Sequence, residues 1–312
     1  MNITNDKKIL LIRECVLDII QIVKTFPKED DDVRSINAYH QRGGNASNTS
    51  TVLTNLGWRC ELLTTFADDK MFTFIIEDLK DRNIDIKNCR YYSDCNIPLS
   101  TVLLSKDTGA RTIIHNNKNL PHVLFEDFDK CNLNEYFWVH FEARSVPETT
   151  KMMQKIIKYN ETVNEKIKIS LELEKKRDEN LLLVKYADVV ILGRDYAEII
   201  GCHDKKTAIY KLKEIMTNDE CYRNEKCVLV CPWGKDGACA IDDDGNYYEN
   251  PIFEQKEVVD TLGAGDTFVS GLLHSLMKNF NDIPQAIKNG CMIAGYKCGF
   301  YGYDCVKNFT FP

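Results

Sequence analysis

Short apolar or β-branched runs alternate with longer amphipathic patterns along most of the chain, which has 312 residues. The short runs have the length of buried strands, whereas apolar residues in the longer patterns recur every three or four positions, as they do in helices. Strands that alternate with helices build a mostly parallel sheet that helices cover on both faces. The pattern therefore predicts an α/β fold, in which ligands bind at the carboxyl ends of the strands.

The predicted elements follow from the apolar runs and from the residues that start and stop helices. We predict strands over residues 9–12, 62–66, 138–141, 167–172, 189–192 and 228–231. We predict helices over residues 45–56, 71–81, 147–159, 206–216, 266–278 and 284–295. Gly57 is the expected C-terminal stop of the first helix, and Pro147 opens the third.

Two segments do not follow the alternation. Residues 33–41 and 90–115 contain strand-like runs with no helical pattern between them. In the second segment, residues 100–105 and 111–115 flank the turn Asp107-Thr108-Gly109, which predicts a β-hairpin. The economical interpretation is a small antiparallel sheet that stands off the main sheet.

Charge and composition exclude several classes of protein. The net charge of −7 argues against a nucleic-acid or anionic-membrane partner. Arg13, Glu14 and Asp18 break the first apolar stretch, so we predict neither a signal peptide nor a membrane span there, and the cytoplasm is the default location.

The thirteen cysteines are odd in number and include no Cys-x-x-Cys pair, which is typical of reduced thiols in a cytosolic protein. A metal site at Cys227 and Cys231 is disfavoured, because one strand would hold both and no His is near.

The string VVDTLGAGDTF at residues 258–268 carries the strongest indication of chemistry. Gly263 and Gly265 can adopt backbone angles closed to other residues, and a turn of this kind directs unpaired N–H groups outward at the positive end of a helix. Asp266 places a carboxylate beside this anion hole. Phosphoryl transfer needs such a combination, namely donors for the transferred group and a base for the attacking hydroxyl. The alternative is that Asp266 only caps the helix.

A second string, Gln41-Arg42-Gly43-Gly44-Asn45-Ala46-Ser47-Asn48, supports the chemical interpretation. Together the two strings resemble the motifs of the ribokinase-like sugar kinases, also called phosphofructokinase-B-type carbohydrate kinases. The chain has no Gly-x-x-x-x-Gly-Lys-Ser/Thr loop and no protein-kinase motif set, so it does not resemble the other large kinase classes.

Further strings at residues 26–30, 171–175 and 290–299 are similar to those of the animal fructose kinases within this family, and the resemblance runs from about residue 9 to residue 306. It implies a three-layer α/β/α domain over residues 1–312, with a lid formed by about residues 18–43 and 90–120. It also implies phosphorylation of fructose at the 1-hydroxyl by ATP, which gives fructose 1-phosphate and ADP, and a homodimer formed through the lids.

The family resemblance assigns roles to individual residues. Asp266 is the expected general base, and Gly263, Ala264 and Gly265 form the expected anion hole. The expected ketose-binding residues are Asp18, Gly44, Asn45, Asn48 and Asp266, together with Asp30, which would reach the sugar site of the neighbouring subunit. The expected nucleotide-binding residues are Arg111, the turn Gly234, Lys235, Asp236 and Gly237, and residues 263–266.

The residue types suit these roles, although each has a plainer interpretation. A polyol must be held by groups that both donate and accept, and Asn and Asp supply them. Asn45 alone would be explained as a helix N-cap, and Asp30 as part of a solvated acidic run. Arg111 has the fork geometry that suits phosphate oxygens, but a surface Arg is more often only solvated.

The implied cofactors are ATP and Mg²⁺. Some relatives also require K⁺, and the sequence leaves open whether this chain does. Mg²⁺ is expected to be bound mainly through ATP phosphates and waters. Relatives often carry an Asn-x-x-Glu string near the ion, whereas this chain has Gly193-Arg194-Asp195-Tyr196. The ligands are therefore not assigned, and Glu172, Glu174 and Asp195 are candidates only.

Two alternatives to a fructose kinase remain open at this point. The chain could be a ribokinase-like kinase of another sugar or of a nucleoside, because pocket shape decides among polyols. It could also be a non-catalytic sugar or nucleotide sensor on the same fold. The pair Arg13-Glu14 bears on this choice, because it stands where the family has small or apolar residues. It could be a mutual salt bridge, a change of specificity or damage to the site.

Overall fold

The computed structural model describes residues 7–224 and 226–312, which form two principal sheets and a two-stranded one. In chain order the strands are β1 (Lys8–Ile12), β2 (Val16–Val23), β3 (Asn37–Gly43), β4 (Cys60–Leu63), β5 (Thr65–Ala67), β6 (Arg90–Tyr92), β7 (Leu99–Ser105), β8 (Arg111–Asn116), β9 (Tyr136–Glu142), β10 (Lys168–Leu173), β11 (Val189–Leu192), β12 (Val228–Pro232), β13 (Ala238–Ile241) and β14 (Tyr247–Asn250).

The helices are α1 (Asn45–Asn55), α2 (Lys70–Asp81), α3 (Phe125–Asp129), α4 (Val146–Asn160), α5 (Arg194–Ile199), α6 (Lys205–Asn218), α7 (Ala264–Lys278) and α8 (Ile283–Lys297). Short 3₁₀ segments cover Leu133–Glu135, Asp178–Tyr186, Gly234–Asp236 and Asp304–Asn308.

The main sheet has eight strands in the order β14-β13-β12-β11-β10-β9-β1-β4. Strands β4, β1, β9, β10, β11 and β12 are mutually parallel, and β13 and β14 add an antiparallel edge. Alternate residues of β1 enter different cores, since Leu10 belongs to a cluster with α4 and α6, and Leu11 belongs to one with α1, α2, α7 and α8. This alternation gives three layers and confirms the predicted α/β class.

The second sheet is four-stranded, in the order β3-β2-β7-β8. Its inner face carries Ile20, Ile22 and Val102, which pack against Leu262 beside the predicted glycine turn. The antiparallel pair β7–β8 contains the predicted hairpin, with Ser100 opposite His115. The small sheet therefore covers the part of the molecule in which the sequence places the anion hole, and we call it the lid.

Two predicted elements differ from the observed ones by more than a shift of their ends. The strand predicted over residues 62–66 is divided into β4 and β5, because the chain turns at Thr64, whose side-chain oxygen accepts a hydrogen bond from the N–H of Cys15 at 3.2 Å. The strand-like run at 33–41 pairs only from Asn37 onward. The hairpin β13–β14 and the six-residue helix α5 were not predicted, since α5 is too short to show a helical period.

Nowhere in residues 7–224 and 226–312 does a helix combine the length and the apolar character needed to cross a membrane.

Candidate active site

The glycine turn at residues 263–265 starts helix α7. Gly263 is the N-cap and has φ +71°, and a Cβ placed there would lie 1.9 Å from the hydroxyl oxygen of Tyr303. Only glycine fits both the backbone angle and this contact. The N–H of Ala264 donates to the carbonyl of Thr261 at 3.2 Å. Among the described residues, the N–H groups of Gly263, Gly265 and Asp266 have no backbone acceptor, so they are free to bind an anion.

Asp266 lies in the first turn of α7 but does not cap the helix. Its carboxylate Oδ2 accepts a hydrogen bond from Nδ2 of Asn48 at 2.7 Å, and the capping interpretation is therefore wrong. Burial and, to a lesser degree, the charge of Glu172 raise the pKa of Asp266 well above its usual value. A carboxylate with a raised pKa is a stronger base when ionised, which is the property that a general base needs.

The predicted ketose-binding residues on the lid and on helix α1 converge. Asp18 is buried, and a Cβ on Gly43 would lie 2.1 Å from its Oδ2. Gly44 is the N-cap of α1 with φ +96°, and a Cβ there would lie 2.3 Å from the carbonyl oxygen of Glu14. The pair of glycines therefore lets β3 and α1 approach Asp18. Burial raises the pKa of Asp18 to about 6, opposed by a hydrogen bond from Ser100.

Asn45 occupies the first position of α1 rather than the cap, and the N-cap interpretation is wrong for it as well. Its Nδ2 donates to Oε2 of Glu174 at 3.1 Å and to Oε1 of Glu172 at 3.4 Å. Burial and the charge of Glu174 raise the pKa of Glu172 to about 8. Two polar atoms of this region, Oδ1 of Asn48 and Oε2 of Glu172, are buried without a partner among the described residues. Buried atoms of this kind are expected to meet a ligand or water.

The pair Arg13-Glu14 forms ion pairs instead of leaving bare charges in the site. Arg13 lies 3.5 Å from the carboxylates of both Glu14 and Glu142, and Glu14 also contacts Nδ1 of His122. Oε1 of Glu142 accepts the N–H of Ala46 at 2.9 Å. The structure thus supports the salt-bridge alternative and shows a further connection, through Glu142, to the start of α1.

The expected nucleotide-binding residues outside the glycine turn lie on the lid and at the end of strand β12. Nη1 of Arg111, on lid strand β8, donates to the carbonyl and side-chain oxygens of Thr261 at 3.2 and 3.1 Å. The turn Gly234-Lys235-Asp236-Gly237 follows β12 and leads into β13, with Gly237 at φ +77° close to Asn250 and Pro251. The structure therefore brings Arg111 to the segment that precedes the glycine turn, while the 234–237 turn lies at the carboxyl end of β12.

Two candidate residues stand apart from this constellation. Asp30 is exposed, has φ +65° and lies in the connection between β2 and β3. Asp195 is in the first turn of α5, where its charge acts on Lys176. In the part of the chain that the structure describes, no three His, Cys, Asp or Glu residues are arranged to hold a metal ion.

Sequence reasoning missed several residues of this region. Lys297 is fully buried and bonded to the residues just before the glycine turn, Tyr303 packs on Gly263, and Ser100 contacts Asp18. Arg144 has its Nε buried without a hydrogen-bond partner in the described part of the chain, and its charge opposes the rise in the pKa of Glu142. Lys297 falls within the similar string at residues 290–299, but no local pattern distinguishes it from Lys288 on the same helix, and Tyr303 and Arg144 lie outside every string discussed above.

Comparisons of the sequence with known proteins give one family. A family model described as pfkB family carbohydrate kinase matches residues 6–303. The chain is 37% identical over 301 residues to ketohexokinase of Mus musculus, which covers 96% of this chain and 98% of the mouse protein. It is 22% identical over 304 residues to ribokinase of Dictyostelium discoideum, covering 91% and 92% of the two chains.

Comparisons of the structure give the same fold. Ribokinase from Giardia lamblia superposes with a TM-score of 0.78 at 15% identity, covering 96% of this chain and 95% of that chain. Ribokinase of Arabidopsis thaliana complexed with ribose and ATP superposes with a TM-score of 0.76 at 15% identity, with coverage of 96% and 95%.

Proposed function

The chain belongs to the pfkB family of carbohydrate kinases, and from this premise we propose that it transfers the γ-phosphoryl group of ATP to the 1-hydroxyl of fructose. The products are fructose 1-phosphate and ADP. The observation that carries the proposal is the carboxylate of Asp266, which Asn48 holds beside the free N–H groups of the glycine turn. The choice of fructose rests on the similarity to mouse ketohexokinase.

In the proposed reaction Asp266 accepts the proton of the sugar hydroxyl as the hydroxyl oxygen attacks the γ-phosphorus. A new O–P bond forms, the bond from the γ-phosphorus to the bridging oxygen breaks, and ADP leaves with that electron pair. The N–H groups of Gly263 and Gly265 stabilise the charge on the transferred phosphoryl group, whereas that of Ala264, also expected in the anion hole, is already bonded to the carbonyl of Thr261. Arg111 on the lid would add a cation at the same place once the lid closes.

The sugar is proposed to lie between the lid and helix α1. Asp18, Asn45 and Asn48 would accept and donate hydrogen bonds to its hydroxyl groups, while Gly44 lets it approach the backbone. The buried Oδ1 of Asn48, which has no protein partner among the described residues, supports this position because a sugar hydroxyl would satisfy it. Asp30 would act on the sugar site of a second subunit.

The nucleotide is proposed to lie between Arg111 and the turn Gly234, Lys235, Asp236 and Gly237, with its phosphates at residues 263–266. Mg²⁺ would neutralise charge on these phosphates when bound. Among the described residues, Oε2 of Glu172 is the candidate oxygen best suited to it, since it is buried and makes no hydrogen bond there, although it lies 3.9 Å from Nε2 of His140. Glu174 is already paired with Asn45 and Lys175, and Asp195 lies on a separate helix, so both suit this role less well.

The remaining parts of the proposal concern organisation. We take residues 1–312 as one kinase domain whose lid lies within about residues 18–43 and 90–120, and we expect two lids to pair in a homodimer. The thirteen free cysteines, of which most are buried, suit a reducing compartment such as the cytoplasm.

The direct test is an ADP-release assay with fructose, other ketoses, aldoses and nucleosides, run with K⁺ present and with K⁺ absent. We expect fructose to give the highest kcat/KM and NMR of the product to show phosphate on the 1-oxygen. A higher kcat/KM for ribose or a nucleoside would establish the alternative, a ribokinase-like kinase of another sugar or of a nucleoside. Sugar binding without turnover of any substrate would establish the non-catalytic sensor, which the intact Asp266 and glycine turn disfavour.

A further inference from the structure

Lys297, in the last turn of helix α8, is completely buried, which is exceptional for a charged side chain. Its ammonium donates to the carbonyl oxygen of Asp260 at 3.0 Å, to Oδ2 of Asp260 at 2.7 Å and to the carbonyl oxygen of Leu262 at 2.6 Å. An ammonium has three donors, so all of them are used. Every acceptor belongs to the segment that leads directly into the glycine turn.

The same segment is held at two further points. Oδ1 of Asp260 accepts a hydrogen bond from the N–H of Leu262 at 2.8 Å. The carboxylate of Asp260 therefore binds both Lys297 and the backbone two residues further on. The carbonyl of Thr261, which lies between the two carbonyls that Lys297 binds, receives Arg111 of the lid instead. The carbonyls of Asp260 and Leu262 therefore bind the buried Lys297, and the carbonyl of Thr261 between them binds Arg111 on the lid.

The bond to Leu262 has a direct consequence for the anion hole. The C=O of Leu262 and the N–H of Gly263 belong to one planar trans peptide, in which they point in opposite directions. When the ammonium of Lys297 draws the Leu262 carbonyl toward α8, the Gly263 N–H must point away from α8. That N–H is one of those with no backbone acceptor among the residues that the structure describes.

We propose that Lys297 is a positioning residue for phosphoryl transfer: its ammonium fixes the peptide of Leu262 and Gly263 so that the anion hole exists before the substrate binds. This inference rests on the proposed role of the glycine turn. A donor that is already oriented costs no reorganisation during the reaction, and electrostatic stabilisation of this kind is a large part of enzymatic rate enhancement. Lys297 itself touches neither substrate.

A plain structural role would leave a different trace. If the pair with Asp260 only stabilised the fold, its loss would lower the melting temperature without a specific loss of turnover. The matched control is Ile287→Ala, which creates a cavity at another fully buried position of α8, ten residues before Lys297 and about 15 Å along the helix.

The test is Lys297→Met, with kinetics at saturating ATP and ketose in K⁺-containing buffer and with hydrogen exchange of the amides of residues 261–266. We expect kcat to fall about a hundredfold, both KM values to change little, and these amides to exchange faster. Ile287→Ala is expected to keep its kcat at a comparable loss of melting temperature.

A buried Asp260 without its cation could prevent Lys297→Met from folding. The double variant Asp260→Asn with Lys297→Met then replaces it, because it removes both charges. A kcat within about threefold of wild type in whichever variant folds, or unchanged exchange at residues 261–266, overturns the proposal. If the wild type itself transfers no phosphate, the proposed kinase site is wrong, while the exchange measurement still decides whether Lys297 holds the turn.

Discussion

The side chains of Asn48 and Asp266 are joined by a hydrogen bond of 2.7 Å although the residues lie 218 positions apart in the chain. Asn48 is on α1 and Asp266 on α7, so the bond joins the helix that carries the proposed sugar ligands to the helix that carries the anion hole. The donor fixes one carboxylate oxygen of Asp266 and leaves the other available for a hydroxyl proton. Sugar binding and proton transfer are therefore expected to depend on one another.

Replacement of Asp266 by Asn tests the general base. We expect Asp266→Asn to lose about 10²–10⁴ in kcat and to keep its affinity for ATP, because the amide has nearly the same shape but cannot accept the proton. Its melting temperature at neutral pH should equal or exceed that of the wild type, since burial of an ionised carboxylate is unfavourable and its pKa is raised. Turnover within a few-fold of wild type would remove Asp266 from the mechanism.

Removal of the Asn45 side chain tests the sugar clamp. Asn45→Ala should raise the ketose KM about tenfold and leave the ATP KM nearly unchanged, because a hydrogen-bond partner is lost for one substrate only. The variant should fold normally, as Gly44 and not Asn45 caps the helix. Thr54, at the other end of α1, provides the control: Thr54→Ala should change neither KM. A shift confined to the ATP KM would contradict the assignment.

The pKa of Asp18 predicts how sugar affinity depends on pH. Burial raises this pKa to about 6, so Asp18 is ionised above pH 6 and takes up a proton as the pH falls through that value. The neutral form accepts weaker hydrogen bonds, and the ketose dissociation constant measured by calorimetry should therefore rise between pH 7.5 and pH 5. In Asp18→Asn the ketose dissociation constant should be higher than in the wild type at every pH and should not change over this range. An equal pH dependence in the variant would assign the titration to another group.

The ion pair between Arg13 and Glu142 predicts a stability that depends on pH. Burial raises the pKa of Glu142 above its unfolded value, and Arg13 opposes this. Without Arg13 the pKa should rise further. A group whose folded pKa is raised favours the folded state below its unfolded pKa and loses that contribution as the pH rises through the folded pKa. Arg13→Met should therefore cost about 3 kcal/mol at pH 8 and clearly less at pH 5.

A double-mutant cycle separates this pair from the other contacts of Arg13. Glu142→Gln keeps an oxygen for the N–H of Ala46 but carries no charge. In that background the addition of Arg13→Met should cost little, and the pH dependence of the penalty should disappear. Urea unfolding of the four proteins at pH 5 and pH 8 makes the comparison. If the losses in free energy of unfolding caused by the two substitutions are additive, Arg13 stabilises the protein independently of Glu142.

Local strings predicted the parts of the site that the backbone itself creates. The glycines and acids of residues 41–48 and 258–268 identify turns whose geometry depends on neighbouring residues, and the structure places them together. Lys297 escaped prediction because its acceptors are 35 to 37 positions away, and a Lys near the end of a helix is usually solvated. The pair Arg13-Glu14 could not be interpreted from the sequence for the same reason, since Glu142 and His122 reach it from distant elements.

The lid leaves apolar surface that its own chain does not cover. The sequence-based expectation of a dimer relied on apolar lid residues that need cover, among them Val102, Leu104 and Ile113, but Val102 is buried within the chain with Ile20 and Ile22, and Leu104 packs against them. On β8, by contrast, Ile113 and the neighbouring Ile114 are 49% and 62% exposed. Between the lid and α2 a groove of about 330 Å³ is lined by Leu17, Ile19, Ala38, Tyr39, His40, Met71 and Phe74.

We therefore still predict a homodimer through the lids, with these surfaces in the interface. Two lids related by a twofold axis would cover both surfaces, and a stable interface needs more than about 1,000 Å². Light scattering at micromolar concentration should give twice the chain mass. Ile114→Glu should shift the measured mass toward that of the monomer, whereas Ile157→Glu on α4, where the side chain is 37% exposed and remote from the lid, should not.

If Asp30 reaches the partner's sugar site, Asp30→Ala should raise the ketose KM of the dimer and have no effect in the Ile114→Glu background. A fully active wild-type monomer would contradict the dimer and leave Asp30 as a solvated surface acid.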